Sequence, residues 1–227
     1  MRTLLTRRKI TLGSYAAMLV GVAVFLVVYS VAQEQGIKAS WLSHIIFPII
    51  LFTTLSSAAA SKRQLRLLIG FFLVLLLLDV WKVAAGGHAL EILSRVGHLF
   101  FLLFVVRVIL GHVFRESTVS TDMILGSICA YMMLGLFFNE GFALIETLIP
   151  GSFEGLADIR KDGGYFSFVT FSTLGYGDVV PVKAVARSVA AMAAVTGQFY
   201  IAIIVARLVA AHVSARRDER ETEEAAS

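Results

Sequence analysis

The residues whose types and spacing could do chemistry lie at positions 173–178, Thr173-Leu174-Gly175-Tyr176-Gly177-Asp178. What they offer is main-chain oxygen. An extended segment whose consecutive carbonyls all point one way must alternate backbone conformations that side-chain-bearing residues avoid, and glycine enters positive φ without steric cost. Gly175 and Gly177 stand at alternate positions and permit that geometry. Four such strands around an axis would stack rings of carbonyl oxygens from Thr173, Leu174, Gly175 and Tyr176, with the Thr173 hydroxyls as the innermost ring. Such rings replace the water around a dehydrated cation. The chemistry is passive cation conduction, without covalent steps. One strand encloses nothing, so the arrangement calls for a homotetramer.

These residues end an uncharged stretch, 163–177, GGYFSFVTFSTLGYG, of which the first part reads as helix. At about 1.5 Å per residue, some ten residues reach halfway across a bilayer. Irregular backbone at membrane depth survives only when buried in protein or lining a watery cavity. The stretch is therefore either an extramembrane loop or a re-entrant pore segment. In the second case the negative end of its short helix, near Ser172, would favour a cation in the aqueous cavity.

The rest of the chain supplies the membrane elements. Of its 227 residues 58% are hydrophobic and 16% charged, with a mean hydropathy of +0.82, which excludes a soluble globule and a disordered chain. Six spans are predicted: 10–33, 39–61, 67–85, 89–113, 123–139 with its apolar continuation, and 188–206 within a longer helix from about 182 to 213. The basic pI near 9.4 reflects short clusters between apolar runs rather than a nucleic-acid surface. Arg2, Arg7, Arg8 and Lys9, then Lys62, Arg63 and Arg66, then Arg115, then Arg216, Arg217 and Arg220 all fall on one side, which predicts cytoplasmic termini. Ser30-Val31-Ala32 resembles a cleavage site, but the first apolar run is longer than the core of a signal peptide, so it is read as retained.

With these elements in place, Thr173 to Asp178, TLGYGD, resembles the selectivity filter of tetrameric potassium channels, with Leu for Val. The resemblance covers residues 122–213, as outer helix, pore helix, filter, Pro181 and inner helix. It implies K⁺ held at Thr173, Leu174, Gly175 and Tyr176. It also implies a hinge at Gly197, twenty residues after Gly177, where the family's inner helix often bends. Tyr165 falls where voltage-gated relatives carry a tryptophan that donates to the filter aspartate, which implies a Tyr165 hydroxyl bond to Asp178; the plainer reading of Tyr165 is an interfacial anchor. Val169 stands where some bacterial relatives have a glutamate paired with that aspartate. Ile201, Val205 and Val209 recur at four-residue intervals and are placed along the cavity, with ordinary helix packing as the alternative.

Four spans before a pore resemble the layout of voltage-gated channels, but Arg95 and Arg107 are twelve residues apart, and steep voltage dependence draws on about three to four charges per subunit. Weak or absent voltage gating is expected. Asp79 and Arg95 fall at similar depth on adjacent spans, which predicts a structural ion pair; a charge-transfer role for Asp79 is the functional alternative. His44, His88, His98, His112 and His212 lack metal-binding spacing, Trp41 and Trp81 suit an aromatic belt, and Cys129 reads as a small apolar filler.

The expected organisation is an all-α membrane protein: a four-helix bundle over 1–115, a pore domain over 116–213 and a charged tail over 214–227, read as a frayed helix or disordered and too short to hold a ligand-binding domain. Expected partners are three further copies, membrane lipid and K⁺, with no nucleic acid, no cofactor and no enzymatic activity. The expected location is a prokaryotic plasma membrane. A poorly selective cation channel is the nearer rival. A secondary transporter or membrane enzyme would show internal repeats or clustered intramembrane acids, and neither is visible.

Overall fold

The computed structural model describes residues 13–35, 62–115, 120–155 and 158–226. These form α1 (Gly13–Glu34), α2 (Lys62–Ala85), α3 (His88–Val113), α4 (Thr121–Leu148), β1 (Phe153–Glu154), α5 (Ile159–Phe171), β2 (Val180–Pro181) and α6 (Ala184–Ala226). Five of the helices, α1, α2, α3, α4 and α6, are long and apolar enough to cross a membrane. The protein is an all-α membrane protein apart from the small β1–β2 ribbon. The span expected over 39–61, with Trp41 and His44, lies outside the described residues.

The chain divides into two compact units, Met1–Leu90 and Glu91–Ser227. In the first, α1 buries Tyr15, Met18, Val22 and Phe25, and α2 buries Leu68, Phe72, Leu75 and Asp79, each set recurring at three- or four-residue steps along one helix face. Asp79 is 2% exposed and accepts from Lys82 Nζ at 3.2 Å, one turn away on the same helix.

Arg95 pairs with Glu91 at 3.1 Å, four residues earlier on α3, and with Glu140 of α4 at 3.4 Å. The pairings of Asp79 with Lys82 and of Arg95 with Glu91 are local. Partners at i+3 and i−4 sit on the same helical stripe and meet without fixing one helix against another.

The second unit takes in α3 from Glu91 onward together with the elements that follow it. Three contacts account for this. Arg95 reaches Glu140, Thr147 Oγ1 donates to Glu91 Oε1 at 3.3 Å, and Arg207 of α6 donates to the carbonyls that end α3. Helix α4 starts at an N-cap, Ser120, whose hydroxyl accepts from Met123 N at 3.1 Å, with Asp122 in the first turn to complement the helix dipole.

The core of this unit is aromatic. Phe138 and Phe142 of α4, Phe153 of β1, and Phe166 and Phe171 of α5 are buried together with Ala186, Ala190 and Ala193 of α6. Ring centroids lie 4.9 Å apart for Phe142–Phe166 and 5.7 Å apart for Phe138–Phe171, tilted or edge to face as aromatic quadrupoles prefer. Between apolar helices in lipid, such packing rather than the release of water is what drives association. Helix α6 runs unbroken to Ala226. Its 43 residues make about 65 Å at 1.5 Å per residue, twice a hydrocarbon core of about 30 Å. The tail is therefore a continuation of the helix.

Candidate functional site

Helix α5 is 13 residues long, about 20 Å, and falls short of a bilayer's apolar thickness. It is seated against α4. Ser167 Oγ donates to the Gly135 carbonyl at 2.6 Å in a buried position. At Gly135 a side chain would collide with the Phe168 ring, so the glycine is what lets the two helices approach.

The chain then leaves α5 in a defined way. Ser172 N donates to Phe168 O at 2.9 Å and Thr173 N to Thr170 O at 3.0 Å. Leu174 N and Gly175 N both donate to Val169 O, at 3.0 and 3.2 Å. The amides thus fold back on the helix end. Among the described residues, no backbone hydrogen bond ends on a carbonyl of Thr173 through Gly177.

The backbone alternates through this segment. Thr173, Gly175 and Gly177 take φ of 61°, 58° and 79°, while Leu174 and Tyr176 stay at negative φ. This is the alternation expected at the two glycines, extended by one residue. Among the described residues Thr173 is the one non-glycine at positive φ, an unusual state for a β-branched side chain that costs on the order of 1–3 kcal/mol.

Both ends of the segment are held. After it, Asp178 Oδ2 accepts from the Tyr165 hydroxyl at 2.6 Å, which joins residues 13 apart across the loop. That bond, more than burial, pushes the Tyr165 phenol up to about 12, so the donor keeps its proton throughout the physiological range. The Tyr165 and Tyr176 rings lie nearly parallel, 8° apart with centroids at 6.4 Å. The following residues pair with the loop before α5: Phe153 faces Pro181 and Glu154 faces Val180 in antiparallel register. At Gly155, with φ of 94°, a Cβ would strike the Asp178 carbonyl. The Glu146 carboxylate holds the turn leading into β1, accepting from Gly151 N at 2.8 Å and Ser152 N at 2.9 Å.

Before the segment, Gln198 Nε2 of α6 donates to Thr173 Oγ1 at 2.9 Å. The sequence reading passed over Gln198, Gly155 and the conformation of Thr173. A signal existed for Gln198, a long polar side chain within the uncharged run 188–206, because polar groups at membrane depth are costly and retained for a reason.

Gly197 sits inside an unbroken helix, where a Cβ would strike the Phe171 carbonyl at the end of α5. In this structure it is a close-approach glycine. Ile201, Val205 and Val209 are 43%, 52% and 57% exposed on the single chain. The adjoining stripe of α6 (Ala186, Ala190, Ala193 and Gly197) packs inward. Leu174 and Tyr176 are 56% and 65% exposed. A strand carrying free carbonyls and a helix face carrying large apolar side chains thus both stand open on one chain.

Residues 157–213 match the family model described as Ion channel. The match takes in α5, the Thr173–Asp178 segment, β2 and α6 as far as Val213, and is consistent with potassium channels. No curated protein and no solved structure matches the chain. Fold and match together describe a multi-pass membrane protein whose second unit contains a segment similar to the ion-channel family model.

Proposed function

We propose that this protein is a potassium-selective channel that conducts K⁺ passively through a filter made by four copies of Thr173–Gly177. The observation that carries the reading is the sign alternation of φ at Thr173, Gly175 and Gly177, with the carbonyls of the segment left free of backbone partners among the described residues. Alternation of left- and right-handed backbone turns successive carbonyls towards the same side. Four such strands then offer stacked oxygen rings in place of a hydration shell. Oxygens from Thr173, Leu174, Gly175 and Tyr176 hold the ion, Tyr165 and Asp178 brace the outer end, and Ile201, Val205 and Val209 line the cavity towards the cytoplasm.

In this reading the termini are cytoplasmic, the home is a prokaryotic plasma membrane, and no cofactor takes part. Arg95 is held by two carboxylates, which supports weak voltage dependence, since a charge so paired must break both contacts to move. The test is the reversal potential of purified protein in planar bilayers under mixed K⁺ and Na⁺. A potential that follows the K⁺ gradient is expected. Equal permeability to the two ions would replace this reading with a poorly selective cation channel, and absence of current with a transporter.

A further inference from the structure

Helix α6 carries a long amide at membrane depth, and the structure shows what it touches. Gln198 Nε2 donates to Thr173 Oγ1 at 2.9 Å. An amide in an apolar span is costly unless bonded, and Thr173 supplies the bond. The helix is brought within reach by its neighbour Gly197, whose bare Cα abuts the Phe171 carbonyl.

The acceptor is itself unusual. Thr173 is held at φ of 61°, and a residue in that region persists only where its surroundings over-determine it. A threonine hydroxyl has one proton and two acceptor lone pairs. With one lone pair taken by Gln198, the rotation of the hydroxyl is restricted and the remaining lone pair has a set direction. With the amide turned over, the hydroxyl would donate to Oε1 and its lone pairs would still face away from the amide, so the positioning survives that choice.

Gln198 also shares a helix face with the residues assigned to the cavity. At about 100° per residue, Val205 and Val209 lie within about 20° of it and Ile201 within about 60°. The stripe thus begins at the inner end of the filter segment and continues along α6.

We propose that Gln198 is the positioning residue for the innermost oxygen ring of the filter: its amide fixes the Thr173 hydroxyl so that a lone pair faces the dehydrated ion, and its other amide atom faces the cavity where the hydrated ion arrives. The inference rests on the channel reading above. It assigns the site's inner end a determinant of ion affinity outside the filter sequence itself.

The probe is Ba²⁺, a divalent cation close to K⁺ in size, applied from the cytoplasmic side to the full-length channel in planar bilayers. Gln198→Met keeps the length of the side chain and removes its hydrogen bond. It is expected to weaken block by Ba²⁺ about tenfold while the reversal potential in mixed K⁺ and Na⁺ moves little, because the main-chain rings remain. Gln198→Leu should behave alike. A variant that conducts and is blocked as the wild type is would overturn the proposal while leaving the channel reading intact. A wild-type protein without K⁺-selective current would overturn the reading beneath it. Loss of assembly in both variants would assign the amide to assembly alone and overturn the proposal too.

Discussion

At the scale of single residues, the hydrogen bond from Tyr165 to Asp178 decides how firmly the outer end of the filter segment is held. Tyr165 is partly open to solvent, so water competes for the carboxylate and weakens the bond without replacing it. Tyr165→Phe should therefore speed the decay of K⁺ current in low external K⁺ roughly five- to tenfold, measured as the time constant after solution exchange. The phenol is raised from its ordinary value near 10 to about 12. The contribution of the bond is thus complete below pH ~10 and lost only as pH climbs through ~12, so the difference between wild type and variant should be flat from about pH 6 to 9.

Gly197 makes a contrasting case. A hinge would tolerate Gly197→Ala in the closed assembly and fail on opening, whereas a close-approach glycine fails in packing, because the obstructing atom is a backbone carbonyl that has no rotamer to escape into. We expect Gly197→Ala to destabilise the assembled protein by about 1–3 kcal/mol, read as a lower melting temperature of the purified assembly. An unchanged melting temperature with slowed opening would restore the hinge. The bond between Tyr165 and Asp178 was legible through position, because both residues fall where the resemblance to voltage-gated channels places a donor and the filter aspartate. The contact of Asp79 with Lys82 was not, because depth along two spans says nothing about a lysine one turn away on the same helix.

At the scale of elements, the informative contact joins α3 to α6. Arg207 Nη2 donates to the carbonyls of Phe114 at 2.7 Å and Val113 at 3.2 Å, and its guanidinium lies 4.8 Å from the centre of the Phe114 ring. The last carbonyls of a helix have no partner in that helix and carry the negative end of its dipole. A guanidinium there satisfies two acceptors at once and adds a cation–π contact of about 0.5–1 kcal/mol. Arg207→Met keeps the apolar stem and removes all of this. Amides over 110–115 should then exchange at least about tenfold faster in hydrogen-exchange measurements, with α4 and α5 unchanged; equal exchange would show that the tie carries no load. Helix lengths and the short α5 were readable from hydropathy, since lipid demands helices and α5 was too short to span. The assignment of α3 to the second unit was not. It depends on three side chains, Arg95, Thr147 and Arg207, whose partners lie 45 to 94 residues away.

At the scale of the whole molecule, one chain leaves unfinished what four copies would complete. Leu174, Tyr176, Ile201, Val205 and Val209 stand exposed together with carbonyls that have no backbone partner among the described residues. In lipid such carbonyls are costly, and the cost disappears only if they face a cation or water. On the proposed reading, the permeant ion is then also a ligand of the native assembly. Anything bound by the folded state and not by the unfolded one stabilises it by RT ln(1 + [L]/Kd), about 2.7 kcal/mol when the ligand is at a hundred times its Kd. If the oxygen rings are sized for K⁺, exchanging K⁺ for Na⁺ at equal ionic strength removes that term while leaving every protein contact in place. The purified protein should therefore run as a tetramer and melt several degrees higher in K⁺ than in Na⁺, with Rb⁺, the nearer ion in size, close to K⁺. A monomer of unchanged melting temperature in all three salts would show that the segment binds no ion. A tetramer stabilised equally by K⁺ and Na⁺ would keep the assembly and discard its selectivity.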